Sequence, residues 1–129
     1  MKSLVVEDDV THQMLLQKFL CRYGLCDLAA DGKKAVEMAG IAMRSHQCYD
    51  LICMDLRMPV MDGQEAICEI RKMEAAAQVD NPVIIIVTTA YTDTESIAGA
   101  LLCRCNAYLV KPIQITKLRA ELKTFQLIP

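Results

Sequence analysis

The sequence predicts an α/β fold in which five parallel strands form one sheet with helices packed on both faces. Three observations carry that reading. Apolar runs of strand length recur five times, and Val83 to Thr88 is apolar almost without gaps, the pattern of a strand buried on both sides. Each run is followed by a longer segment whose apolar residues recur at helical spacing. The order is strand then helix throughout, which builds βα units and a parallel sheet, with right-handed crossovers restricting the topology.

Taken in order, Lys2 to Val6 reads as the first strand. Asp8 or Asp9 caps the following helix, whose inner side is read as Val10, Met14, Leu15, Phe19 and Leu16, with Gly24 ending it. Leu25 to Ala30 is a weaker strand interrupted by Asp27. Asp31-Gly32 makes a turn into a helix carrying Ala35, Val36, Met38, Ala39, Ala42 and Met43. Cys48 to Met54 is the third strand. Gly63 then opens a helix marked by Ala66, Ile67, Ile70 and Met73, which the alanine-rich Glu74 to Gln78 prolongs. Asp80-Asn81-Pro82 breaks the chain before the fourth strand. Thr92-Asp93 caps the next helix, with Ile97, Ala98, Leu101 and Leu102 expected inside and Cys105-Asn106 at its end. Ala107 to Val110 is the fifth strand, and Ile115, Leu118, Leu122 and Phe125 mark the last helix.

The 129 residues fit one domain, 1–129, with no internal repeat, linker or low-complexity segment. Apolar residues make up 53% and charged residues 23%, the balance of a globular chain. A net charge of -2 leaves no basic footprint for nucleic acid. Only three apolar residues, Leu4 to Val6, follow Lys2 before the first acids, too few for a secretory signal, and no apolar run is long enough for a membrane span. The seven cysteines include no Cys-x-x-Cys and read as reduced thiols, implying a reducing cytoplasm.

The chemistry centres on Tyr49 to Gly63. Leu51-Ile52-Cys53-Met54 stops at Asp55, and Pro59 and Gly63 follow, so Asp55 ends a buried strand at the sheet edge where open α/β folds bind ligands. Leu4-Val5-Val6 runs likewise into Glu7-Asp8-Asp9. Carboxylates gathered at one edge repel, and a hard divalent cation, Mg2+ with Mn2+ able to substitute, removes that cost through oxygen ligands. Thr88-Thr89 and Lys111 end the fourth and fifth strands at the same edge. Singly these are a solvated acid, a cap and a surface lysine. Together they fit phosphoryl transfer, in which a carboxylate nucleophile needs metal and lysine charge to meet an anionic phosphoryl group. His12, four residues after Asp8 near the start of the first helix, reads as a solvated surface histidine, with contact to the pocket rim or a partner as the alternative.

VVEDD, MDLRMPVMDG, VTTA and YLVKP, in that order across the chain, resemble the signature of receiver domains of two-component response regulators, the CheY-like family. The resemblance implies a flavodoxin-like (βα)5 fold with strand order 2-1-3-4-5. It makes Asp55 the phosphoacceptor and Asp8 a direct Mg2+ ligand, with Glu7 acting through water and the Arg57 carbonyl adding a ligand. Lys111 then contacts the phosphoryl group and Pro112 follows a cis peptide. Thr89, which precedes Ala90, matches the switch hydroxyl better than Thr88, and Tyr108 matches the aromatic that responds to it. Glu7 departs from the commoner aspartate, lengthening that arm by one methylene. Arg57 and Tyr91 occupy the positions that tune acyl-phosphate lifetime, and their size implies slow self-hydrolysis.

The implied function is a stand-alone cytoplasmic switch and no turnover enzyme. Asp55 takes a phosphoryl group from a histidine kinase or histidine phosphotransfer protein. The face made by the fourth helix, fifth strand and fifth helix then changes its binding to a downstream protein, in chemotaxis-type or phosphorelay signalling. A monomer is expected, with dimerisation through that face as the alternative. A haloacid-dehalogenase-type phosphatase is disfavoured because such enzymes want Asp-x-Asp, and here Leu56-Arg57 follows Asp55.

Overall fold

The computed structural model describes residues 1–58, 60–90 and 94–129. Its elements alternate as expected: β1 (Ser3–Val6), α1 (Val10–Leu20), β2 (Cys26–Ala29), α2 (Gly32–Arg44), β3 (Leu51–Asp55), α3 (Gly63–Ala77), β4 (Ile84–Thr89), α4 (Thr94–Leu102), β5 (Ala107–Val110) and α5 (Ile115–Thr124). A short 3-10 turn, Cys21–Tyr23, follows α1. All neighbouring strands pair parallel, in the order β2-β1-β3-β4-β5. This is the order the resemblance implied.

The period of two along each strand sorts the core into two layers. Leu4, Val6, Ile52, Met54, Ile85 and Val87 pack under α2 and α3 against Ala35, Ala39, Ala66, Ile67 and Ile70. Val5, Leu51, Cys53 and Ile86 face the other way, onto Leu16, Phe19 and Leu20 of α1 and Leu118 and Leu122 of α5. Each fully buried aliphatic side chain contributes about 1.5–3 kcal/mol. Asp9, Asp31 and Asp62 cap α1, α2 and α3, each accepting from the backbone N–H three residues on.

Two helix faces differ from expectation. On α1 the buried residues are Leu16, Phe19 and Leu20, whereas Val10 and Met14 are each 64% exposed and Leu15 is also exposed. The helix is apolar nearly all round, so spacing alone does not select the face. On α4 only Ala100 is buried, while Leu101 and Leu102 point outward, Leu102 at 86% exposure. The strand bounds shift slightly: Lys2 precedes β1, Leu25 is exposed before β2, and β3 starts at Leu51. Thr92 and Asp93, expected to cap α4, lie outside the described residues.

The thiol expectation is also corrected. Cys68 on α3 and Cys103 just after α4 are joined in a disulfide with Cα atoms 5.1 Å apart, 35 residues apart in sequence. Cys21, Cys26, Cys48, Cys53 and Cys105 remain free. Adjacent to this bridge, Arg71 gathers three segments. Its guanidinium donates to Glu74 Oε1 at 2.7 Å, the Val83 carbonyl at 2.8 Å, the Arg104 carbonyl at 2.9 Å and Asn106 Oδ1 at 2.9 Å. Glu74 is buried and accepts from the Val83 N–H at 2.7 Å.

Candidate functional site

The strand register decides where the chemistry meets. Val6 lies beside Met54, Asp55 beside Thr88, and Thr89 beside Val110. Glu7, Asp55, Thr89 and Lys111 therefore fall together at the carboxyl edge of four adjacent strands. Gly63 lets the loop fold back onto that edge. A Cβ there would collide with the Asp55 carbonyl oxygen, and the Gly63 N–H instead donates to the Leu56 carbonyl at 2.9 Å.

Carboxylate oxygens of Glu7, Asp8 and Asp55 all lie within 4.8 Å of one another. Lys111 Nζ stands 3.0 Å from Glu7 Oε2 and 3.3 Å from Asp55 Oδ2. Backbone N–H groups complete the frame: Asp9 donates to Glu7 Oε1 at 3.2 Å and Arg57 to Asp55 Oδ1 at 3.3 Å. Glu7 is 1% exposed and Asp55 nearly as buried, whereas Asp8 is open to solvent. The pocket thus has two sunken acids, one acid at its mouth and one ammonium.

Burial holds the Glu7 carboxyl above its ordinary 4.5; the Lys111 hydrogen bond lowers it and the Asp55 charge raises it further. Lys111 balances the other way. Its partial burial favours the neutral amine, but the Glu7 hydrogen bond and the Asp55 charge outweigh that, lifting it above 10.5. An acid with a raised folded-state value binds more protons folded than unfolded between 4.5 and the raised value. Stability of the metal-free protein therefore falls as pH rises through that window. Glu7→Gln is expected to remove this pH-dependent component. Urea unfolding of the metal-free proteins between acidic and neutral pH measures it, and an unchanged slope would refute the assignment.

An oxygen-only set of crowded carboxylates with one open side suits a hard divalent ion such as Mg2+. Thr89 is buried, and its hydroxyl donates to the Ala90 carbonyl at 3.3 Å, a long bond that can be exchanged. Tyr108, on β5, is 46% exposed. The Lys111-Pro112 peptide is cis, as expected. Tyr91 lies outside the described residues. His12 keeps 36% of its side chain exposed, and the alternative placing at the pocket rim also holds. Its Nδ1 is buried, 3.9 Å from Glu7 Oε1, so it forms part of the pocket rim. Its position four residues after Asp8, one turn into a helix that starts at the pocket, was the available signal.

The Response regulator receiver domain family model matches residues 3–123. The transcriptional regulatory protein ZraR of Escherichia coli is 34% identical over 122 residues, covering 93% of this chain but only 25% of that protein. Among solved structures, the receiver domain of a Pseudomonas aeruginosa sensor histidine kinase, crystallised with magnesium coordinated in its active-site cleft, superposes with a TM-score of 0.76 at 34% identity, covering 95% of this chain and 94% of that one. A Saccharomyces cerevisiae response-regulator receiver domain, co-crystallised with a histidine phosphotransfer protein, gives 0.79 at 33% identity over 95% and 86% of the two chains. Sheet order, pocket and family match agree, and the chain belongs to the response regulator receiver domains.

Proposed function

We propose that this receiver domain is a phosphoacceptor switch in which Asp55 takes a phosphoryl group from a partner's phosphohistidine. One observation carries the reading: three carboxylates within 4.8 Å of one another share a pocket with an ammonium 3.3 Å from Asp55. Asp8 and Asp55 would hold Mg2+ directly, with the Arg57 carbonyl, and Glu7 through water. When bound, the ion neutralises charge between the acids and the incoming phosphoryl oxygens. Asp55 supplies the attacking oxygen, the N–P bond breaks, and the histidine nitrogen keeps the electron pair. Lys111, pinned by Glu7, presents fixed positive charge to a phosphoryl oxygen. Thr89 gives up the Ala90 carbonyl to donate to another, and Tyr108 turns inward into the space vacated. The face of α4, β5 and α5 then presents a different surface to a downstream protein, through a population shift of a few kcal/mol at most.

Acetyl phosphate with Mg2+ tests this without a partner. The intact protein should gain one phosphoryl mass, and chelation should prevent it. No gain at any magnesium concentration would sink the reading. The site belongs to signalling by a histidine kinase or histidine phosphotransfer protein in the cytoplasm, in a chemotaxis-type or phosphorelay pathway.

The donor has to reach Asp55 across the pocket mouth. The exposed apolar strip Val10, Met14 and Leu15 on α1 begins two residues from Asp8, at that mouth. The strip therefore suits the apolar face of the phosphohistidine protein. Met14→Asp should slow transfer from that protein about tenfold while leaving acetyl phosphate uptake unchanged. Equal slowing of both reactions would place the fault in the pocket instead.

A further inference from the structure

α4 is held to the body by little apolar packing. Ala100 is its single buried residue among those described, and Leu101 and Leu102 face solvent. Its far end is fastened instead by polar and covalent means. Arg71 on α3 donates twice to the Arg104 carbonyl, at 3.1 and 2.9 Å, one residue past Cys103. Cys103 itself meets Cys68 on α3 with Cα atoms 5.1 Å apart, inside the usual disulfide range of roughly 4.4–6.8 Å. Both cysteines are half-buried and so within reach of solvent reagents. Cys53, by contrast, is fully buried and its thiol is pushed up to about 12, out of the reactive range.

The surface beside the pair has a sign. A shallow depression runs over Cys68 and Cys103 and is lined by Arg71, Lys72 and Arg104, with Ala75 and Leu102 on its apolar side. Three cations and no acid line the depression, with Glu74 held by Arg71 and Glu69 3.4 Å from Lys72 beside it. A small reagent carrying carboxylates is favoured over a cationic one.

We propose that Cys68 and Cys103 are a reversible redox modification site, oxidised by an anionic small-molecule disulfide of the glutathione type, whose bridge clamps α4 onto α3. The step balances. The Cys103 thiolate attacks one sulfur of the small disulfide, whose S–S bond breaks and releases one thiolate. The Cys68 thiolate then attacks the Cys103 sulfur and expels the second. Two electrons pass from the protein pair to the reagent, and the two departing thiolates take up the protons the cysteines lost. An excess of the reduced reagent runs the exchange backwards.

The clamp does not depend on Asp55 being a phosphoacceptor, and Asp55→Asn should show it unchanged. The test starts from full-length protein reduced with dithiothreitol and exposed to glutathione disulfide or to cationic cystamine at equal concentration. Expected are loss of two hydrogens from the mass, a Cys68–Cys103 cross-linked peptide, and oxidation about fivefold faster with glutathione disulfide. Amide exchange in the last turn of α4 should slow about tenfold on oxidation and recover on reduction. Cys68→Ser and Cys103→Ser should each lose these effects while keeping the fold. Cross-linking to Cys105 instead, equal rates with cystamine, or α4 exchange indifferent to oxidation would each overturn the proposal.

Discussion

Asp55→Asn is expected to abolish phosphoryl uptake from acetyl phosphate, a fall on the order of a thousandfold or more, because the amide offers no nucleophilic oxygen. The substitution is nearly isosteric. The amide oxygen can keep the Arg57 N–H, 3.3 Å from Asp55 Oδ1, and Lys111 retains its 3.0 Å bond to Glu7. The fold should therefore persist, with an unchanged far-ultraviolet spectrum. Metal affinity should fall at least about tenfold, since one of three charged donors becomes neutral. Intact mass after incubation and magnesium titration by tryptophan-free methods such as calorimetry give both numbers. Residual uptake near the wild-type rate would mean that another residue is the acceptor, and Asp8, at the open mouth, would be the next to test.

Arg71→Ala should produce the largest loss of stability, about 3–5 kcal/mol, through a site with no part in the chemistry. The guanidinium neutralises Glu74, a carboxylate with 6% of its side chain exposed, while binding carbonyls of Val83 and Arg104. Its removal strands the buried Glu74 charge and takes the donor from the Val83 and Arg104 carbonyls at once. Asn106 Oδ1 loses one donor but keeps the Ile85 N–H at 2.7 Å, so the start of β4 is only partly released. Arg71→Leu combined with Glu74→Leu should cost clearly less than Arg71→Ala alone, because no charge is then left unpaired. Urea unfolding of the three proteins decides this, and a loss under about 1 kcal/mol for Arg71→Ala would show that water reaches Glu74 after all.

The pocket was legible because its residues sit at strand ends. Apolar runs stop abruptly at Glu7, Asp55 and Lys111, so their edge follows from strand position alone once the sheet is parallel. The Arg71 cluster was not legible. Its partners at Arg104 and Asn106 are 33 and 35 positions away, and a lone arginine on a helix looks like any solvated charge. The Cys68–Cys103 bridge escaped for the same reason, since 35 residues of separation leave no local spacing to read. The faces of α1 and α4 failed on different grounds. Both helices carry apolar side chains outward, at Met14 and Leu102, where a rule that equates apolar with inside has no purchase. His12 shows the intermediate case: its helical position was clear, but its approach to Glu7 depends on the angle at which α1 leaves the pocket.

The ion pair between Glu7 and Lys111 joins positions 104 residues apart, one just after β1 and the other just after β5. During synthesis the acidic half of the pocket emerges well before the ammonium that offsets it. A nascent or truncated chain lacking β5 would hold crowded acids with no lysine to compensate them. Charge balance in the pocket is thereby reached only once β5 has been added to the sheet, whose pairing spans the longest sequence separations.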